Sequence, residues 1–214
     1  MPGRRLPARL VLALGCSLIC ALLYLLPNRF GPPPIELPLT AIDRAVPFWP
    51  ASVWSYVSIY LLLPWTFFGL ASFARVVALA KALVFTQALA AIVFVNWPIA
   101  YPRADHPIPD GTWPLNSALA RFVRAVDVPV NCLPSLHVTT VLLCLACFDD
   151  TRLQHHRPFA TALAIATIAS TLTFKQHYIV DLFGGAAIAA LAWWLFLAGG
   201  RAGARGRANA RGQA

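Results

Sequence analysis

Asn131-Cys132-Leu133-Pro134-Ser135-Leu136-His137, running straight into the apolar stretch Val138 to Phe148, decides how the rest of the chain is read. Proline disfavours helix in the residue before it, so Leu133 is expected to be extended and a helix to begin just beyond. Ser135 is a natural N-cap, and the backbone N–H groups that follow it have no helical partner. Such a helix start presents free donors and partial positive charge, which suits an anion such as phosphate. His137 falls in the first turn, able to donate or accept a proton there.

The composition around this stretch points to a membrane. Of 214 residues, 59% are hydrophobic and only 12% charged. A soluble domain carries roughly 25% charged residues, so half the usual water-facing surface is missing. The net charge is +9. Its basic residues do not form a patch interleaved with aromatics, so no nucleic-acid partner is expected. Cys16, Cys20, Cys144 and Cys147 lie inside apolar runs and only Cys132 lies in a loop, so no disulfide framework is implied.

The expected fold class is all-α, an integral membrane bundle of six transmembrane helices spanning about residues 10–26, 52–70, 82–100, 135–148, 158–173 and 181–198. Arg4, Arg5 and Arg9 precede the first run, which is long for a signal peptide and lacks a small-residue cleavage pattern before Pro27. It reads as a retained helix. Residues 28–51 are proline-rich and read as a loop, with the part from Leu39 to Trp49 on the membrane surface. Arg75 and Lys81 mark a short turn, and 101–136 is the longest polar stretch. His155 and His156 sit with Arg152 and Arg157 in a solvated basic turn. Residues 199–214 read as a disordered basic tail.

With six spans, the segments on the side of the termini hold 11 of the 17 basic residues and the opposite segments hold 6. The positive-inside bias then puts both termini in the cytoplasm. The expected location is the plasma (inner) membrane, with the loops after spans one, three and five outside.

A second motif, Lys175-Gln176-His177-Tyr178-Ile179-Val180-Asp181, links spans five and six on that outer side. His177 and Asp181 are four apart and share one helix face. The carboxylate can accept from one ring nitrogen, fix the tautomer and leave the other nitrogen as nucleophile or base. Gly184-Gly185, one turn on, allow close helix packing. Topology brings His137, His177 and Arg103 to one membrane level. One cation, one capped helix start, two histidines and one carboxylate suit cleavage of a phosphoester. Two histidines and a carboxylate can also hold iron or zinc, but membrane di-iron sites need many more histidines than the five here. A non-catalytic transport or assembly protein is the alternative from another class.

Pro134-Ser135-Leu136-His137 followed by His177-x-x-x-Asp181 resembles the type 2 phosphatidic acid phosphatase (PAP2) superfamily of membrane lipid phosphatases and phosphotransferases. That family usually has Pro-Ser-Gly-His. Leu136 and the Gln176-His177-Tyr178 context are more similar to its inositol phosphorylceramide synthase branch. The resemblance implies that His177 forms a phosphohistidine, Asp181 orients it and His137 is the general acid. Ser135 and Arg103 would hold the phosphate. It further implies metal-independent chemistry with no cofactor on a lipid phosphate or phospholipid, with water or an alcohol as acceptor. Asn96 stands where the family's first motif has lysine, Ala104 follows Arg103, and Thr171 stands where the third motif has arginine. Lys175 is the candidate to replace that charge in substrate binding.

Overall fold

The computed structural model describes residues 6–199 and is all-α apart from one two-residue ribbon. Arg4, Arg5 and the expected basic tail from residue 200 onward lie outside the described residues. In chain order the elements are α1 (Leu6–Phe30), β1 (Ile35–Glu36), α2 (Ala41–Ala45), α3 (Val53–Val57), α4 (Ile59–Gly69), α5 (Phe73–Asn96), β2 (Ile99–Ala100), α6 (Pro114–Val126), α7 (Leu136–Phe148), α8 (Arg157–Thr173) and α9 (Ile179–Ala192). A π-helical turn, Trp193–Leu197, continues α9.

Among the described residues, four helical stretches are long and apolar enough to cross a bilayer: Leu6–Phe30, Pro50–Gly69, Phe73–Asn96 and Ile179–Leu197. The chain is a multi-pass membrane protein. The other two expected spans are shorter, 13 residues in α7 and 17 in α8. At about 1.5 Å per residue each falls short of a hydrocarbon core of roughly 30 Å.

Two expectations need correcting. Arg75 and Lys81 do not mark a turn, because α5 starts at Phe73, where the Ser72 side chain caps it by accepting from the Arg75 N–H at 3.2 Å. Long basic side chains can stay on a helix near an interface by reaching out with their stems. Arg75 does so, pairing with Asp150 at 2.5 Å and donating to the Leu197 carbonyl at 2.9 Å. The proline-rich segment 28–51 is likewise more than a loop. Its β1 pairs in parallel with β2, Ile35 opposite Ile99, and α2 is closed by a Thr40–Asp43 capping box.

The polar stretch 101–136 also contains an element that its charges concealed. In α6, Ala120 and Val123 face inward, while Leu115, Phe122 and Val126 are exposed. Spaced seven and four apart, these three form one apolar stripe, the pattern of a helix lying along an interface.

Helix α7 is the hub. It packs against α4, α5, α8 and α9, and buries Val141, Leu143, Cys144, Cys147 and Phe148. Its start is joined to α9 by direct bonds. The Ser135 N–H donates to the Asp181 carbonyl at 3.0 Å, and the Thr139 hydroxyl is 2.9 Å from the Gly185 carbonyl. Gly185 makes this approach possible, since a Cβ there would lie 2.4 Å from the Ser135 carbonyl oxygen.

Candidate active site

The α7–α9 junction brings together two histidines that are 40 positions apart in sequence. The rings of His137 and His177 have centroids 6.3 Å apart. Ser135 is fully buried and caps α7 through its side chain, accepting from the Val138 N–H at 3.5 Å. His137 follows in the first turn, its ring stacked on Tyr56 with centroids 3.9 Å apart at 27°. Its Nε2 is buried, with no hydrogen-bond partner among the described residues.

His177 is held by its other edge. Its Nδ1 lies 2.8 Å from the Cys132 carbonyl oxygen and 3.1 Å from Asp181 Oδ2. A carbonyl oxygen only accepts, so Nδ1 carries a proton, and in the neutral ring Nε2 keeps its lone pair. Asp181 is fully buried, and its Oδ2 also accepts from the Tyr178 N–H at 2.9 Å. The α9 start is fixed again from α2, where Asp43 Oδ1 accepts from the Ile179 N–H at 2.8 Å.

Arg103 enters less directly. Its guanidinium donates to the Asp127 backbone carbonyl and lies 4.0 Å from Asp127 Oδ2. The same carboxylate accepts from the hydroxyls of Tyr24 and, at 2.6 Å, Tyr56. A continuous set of contacts thus runs from Arg103 through Asp127 and Tyr56 to the face of His137. Burial by itself would raise the Asp127 carboxyl, but the Arg103 charge and the two tyrosine hydroxyls outweigh it and hold it below the usual range. A depressed folded-state value contributes stability above the unfolded value of about 3.9, lost as pH falls through the lower folded value. The network is therefore intact at neutral pH.

Lys175 is directed elsewhere. It is buried, and its Nζ donates to the carbonyls of Asp43 at 2.8 Å and Val46 at 2.5 Å. Its backbone takes the left-handed conformation at φ 57°, rare for a residue with a Cβ. That turn lets both Gln176 N–H and His177 N–H return to the Thr171 carbonyl, at 2.9 and 3.1 Å. Lys175→Met should strand two buried carbonyls at a cost of about 1–3 kcal/mol. The expected reading is a melting temperature lower by several degrees with substrate KM unchanged; a raised KM at unchanged stability would instead restore a direct substrate contact.

The sequence profile of the PAP2 superfamily (PAP2_3) matches residues 35–195. The chain belongs to the PAP2 superfamily. No curated protein and no solved structure matches it. Membership in this superfamily of phosphatases and phosphotransferases implies phosphate-ester chemistry, and the match spans both histidine motifs. At two of the positions where this PAP2 chain departs from the family pattern, the side chains make only local bonds among the described residues. Asn96 donates to the Ile92 carbonyl at 2.7 Å, and the Thr171 hydroxyl to the Ile168 carbonyl at 2.7 Å.

Sequence reasoning passed over Tyr56 and read Asp43 only as part of the proline-rich loop. A lone tyrosine in an apolar span carries no signal of its own, and Asp43 looked like ordinary loop polarity. Only folding reveals what each one touches.

Proposed function

We propose that this PAP2 protein cleaves a lipid phosphoester or diphosphate through a phosphohistidine, with His177 as nucleophile, Asp181 as its orienting carboxylate and His137 as general acid and base. The observation that carries the reading is how His177 is held: with Nδ1 committed to Cys132 and Asp181, Nε2 is the lone-pair nitrogen of the neutral ring, and the ring centroid lies 6.3 Å from that of a second imidazole. In the first step Nε2 forms a bond to phosphorus, the bond from phosphorus to the lipid oxygen breaks, and His137 gives that oxygen its proton. Asp181 balances the positive charge that the phosphorylated ring gains. In the second step His137 takes a proton from water or an alcohol, whose oxygen attacks phosphorus and frees His177. Helix α7's N-terminal N–H groups beyond Ser135, together with Arg103, stabilise the developing negative charge.

The finer parts of the reading follow the same logic. The domain is a six-span membrane domain over residues 1–198, with α7 and α8 as short spans held by their neighbours. Both termini are cytoplasmic and the site opens to the outer face of the plasma membrane. The apolar stripe of α6 then rests in the outer interface. Leu136 beside His137 favours the inositol phosphorylceramide synthase-like branch, in which an alcohol replaces water as acceptor.

The test is phosphate release and head-group transfer by purified protein on phosphatidic acid, a polyprenyl diphosphate, and a phospholipid with added alcohols. Turnover on at least one is expected; transport or binding without phosphorus–oxygen cleavage on any would favour the non-catalytic reading. The stacking of Tyr56 gives a finer check. Tyr56→Phe keeps the ring and should retain activity within about threefold. Tyr56→Leu removes the face that orients His137 and should lower kcat by about 10- to 100-fold at similar KM. Equal effects of the two changes would assign the role to the hydroxyl and Asp127 instead.

A further inference from the structure

Arg124 is placed in a way that the proposed chemistry has not used. It lies on the inward side of α6, and its guanidinium sits over two aromatic rings, 4.7 Å from the centroid of Phe48 and 5.4 Å from that of Phe174. One terminal nitrogen donates to the His106 carbonyl at 2.8 Å. The other terminal nitrogen and Nε are both buried with no acceptor among the described residues. The same holds for His106 Nε2 and for Arg103 Nε. His106 lies against Phe48 and Tyr101, with ring centroids 6.3 and 6.1 Å away. Phe174 in turn touches Tyr56, the ring stacked on His137. Along these contacts two rings, Phe174 and Tyr56, lie between the Arg124 guanidinium and His137.

Buried donors without acceptors are rare, because each forgoes its bond to water without replacement. The charges compound this. Burial, and then the neighbouring Arg103, lower the Arg124 guanidinium to about 10. Burial and the charges of Lys175 and Arg124 lower His106, against the opposing pull of Asp105. An oxyanion would satisfy all of these groups together. A guanidinium held over aromatic rings, with one edge unpaired among the described residues, can present its fork to a phosphate in fixed orientation.

We propose that Arg124, assisted by His106 and by Nε of Arg103, forms an oxyanion site near the histidine pair that holds phosphate oxygens of the substrate. It supplies the positive charge missing where Asn96 and Thr171 stand. This deepens the phosphotransfer reading and rests on it only for the identity of the ligand as substrate. The ligand chemistry, a phosphate or diphosphate group, is common to lipid head groups and to free phosphate.

Binding of inorganic phosphate and pyrophosphate to the full chain in detergent tests the site without turnover, using the His177→Ala protein for titration by calorimetry. Arg124→Gln in that background should weaken pyrophosphate binding about tenfold or more, equivalent to about 1.4 kcal/mol, and Arg124→Lys should fall between. In the active protein, Arg124→Gln should raise KM for the lipid about tenfold with kcat within a few fold. If free pyrophosphate binding is unaffected while the lipid KM rises, the site belongs to the lipid head group alone, which still supports it. Unchanged binding and unchanged KM would overturn it. Should Arg124→Gln not fold, His106→Gln decides: a severalfold loss of pyrophosphate affinity supports the site, and wild-type affinity and KM overturn it. If the phosphotransfer reading itself fails, neither the wild type nor any variant turns over lipid, yet the pyrophosphate titrations still report on Arg124.

Discussion

His177→Ala is expected to reduce turnover by about a thousandfold or more while leaving the fold intact. Removing a group that forms the covalent intermediate typically costs from about 10³ to 10⁶ in kcat, because the remaining groups then have nothing to assist. The measurement is product release on whichever lipid the wild type turns over, together with acid-labile, base-stable phosphate on the protein after rapid quench. That label should be present in wild type and absent in His177→Ala. His177→Ala protein with wild-type turnover would eliminate the covalent route. Asp181→Asn should fall between the two. It can keep one hydrogen bond to Nδ1 but loses the charge that balances the phosphorylated ring.

Gly185→Ala should produce the largest effect on stability. On propensity alone the change favours a helix by about 1 kcal/mol. Against that, the new Cβ would meet the Ser135 carbonyl oxygen at 2.4 Å and Val138 Cβ at 3.1 Å. Backbone cannot swing aside as a side-chain tip can, so α7 and α9 must separate. Overpacking of this kind costs about 1–3 kcal/mol, occasionally more. A net loss of about 2 kcal/mol, read as a melting temperature down by several degrees, should accompany a fall in kcat of about 100-fold as His137 moves away from His177. Gly184→Ala is the control. Its Cβ would meet the end of Leu133 at 2.8 Å, a flexible side chain that can yield, so the expected penalty is smaller. Stabilisation by Gly185→Ala would mean that the two helix starts are not in close contact in the membrane.

Gly185 also marks how far the sequence could be read. Gly184-Gly185 announced a close helix approach, and Ser135 announced a helix start, because each rests on local chemistry: a missing Cβ and a hydroxyl next to unpaired N–H groups. The apolar runs announced helices for the same reason, since the backbone in a bilayer must satisfy itself. The His177–Asp181 contact was also legible locally, but not as a pair on one helix face: α9 starts at Ile179 with Tyr178 as its N-cap, so His177 lies just outside the helix and Asp181 in its first turn. Helix ends were less legible. Lys81 looked like turn polarity because charge is a poor guide to helix limits when a long side chain can reach the interface, and Ser72 nine residues earlier is the actual cap.

What the sequence determined by itself was the membrane character, the family motifs and the pairing of a carboxylate with one histidine. The tertiary structure decided the rest: that Tyr56 from another helix lies flat on His137, that Asp127 connects Arg103 to that ring, that the Lys175 ammonium is taken by backbone carbonyls, and that Arg124 turns inward over Phe48 and Phe174. These are contacts between residues up to 132 positions apart. No local pattern encodes them, because each depends on which faces of separate helices meet, and that is settled only when the whole bundle packs.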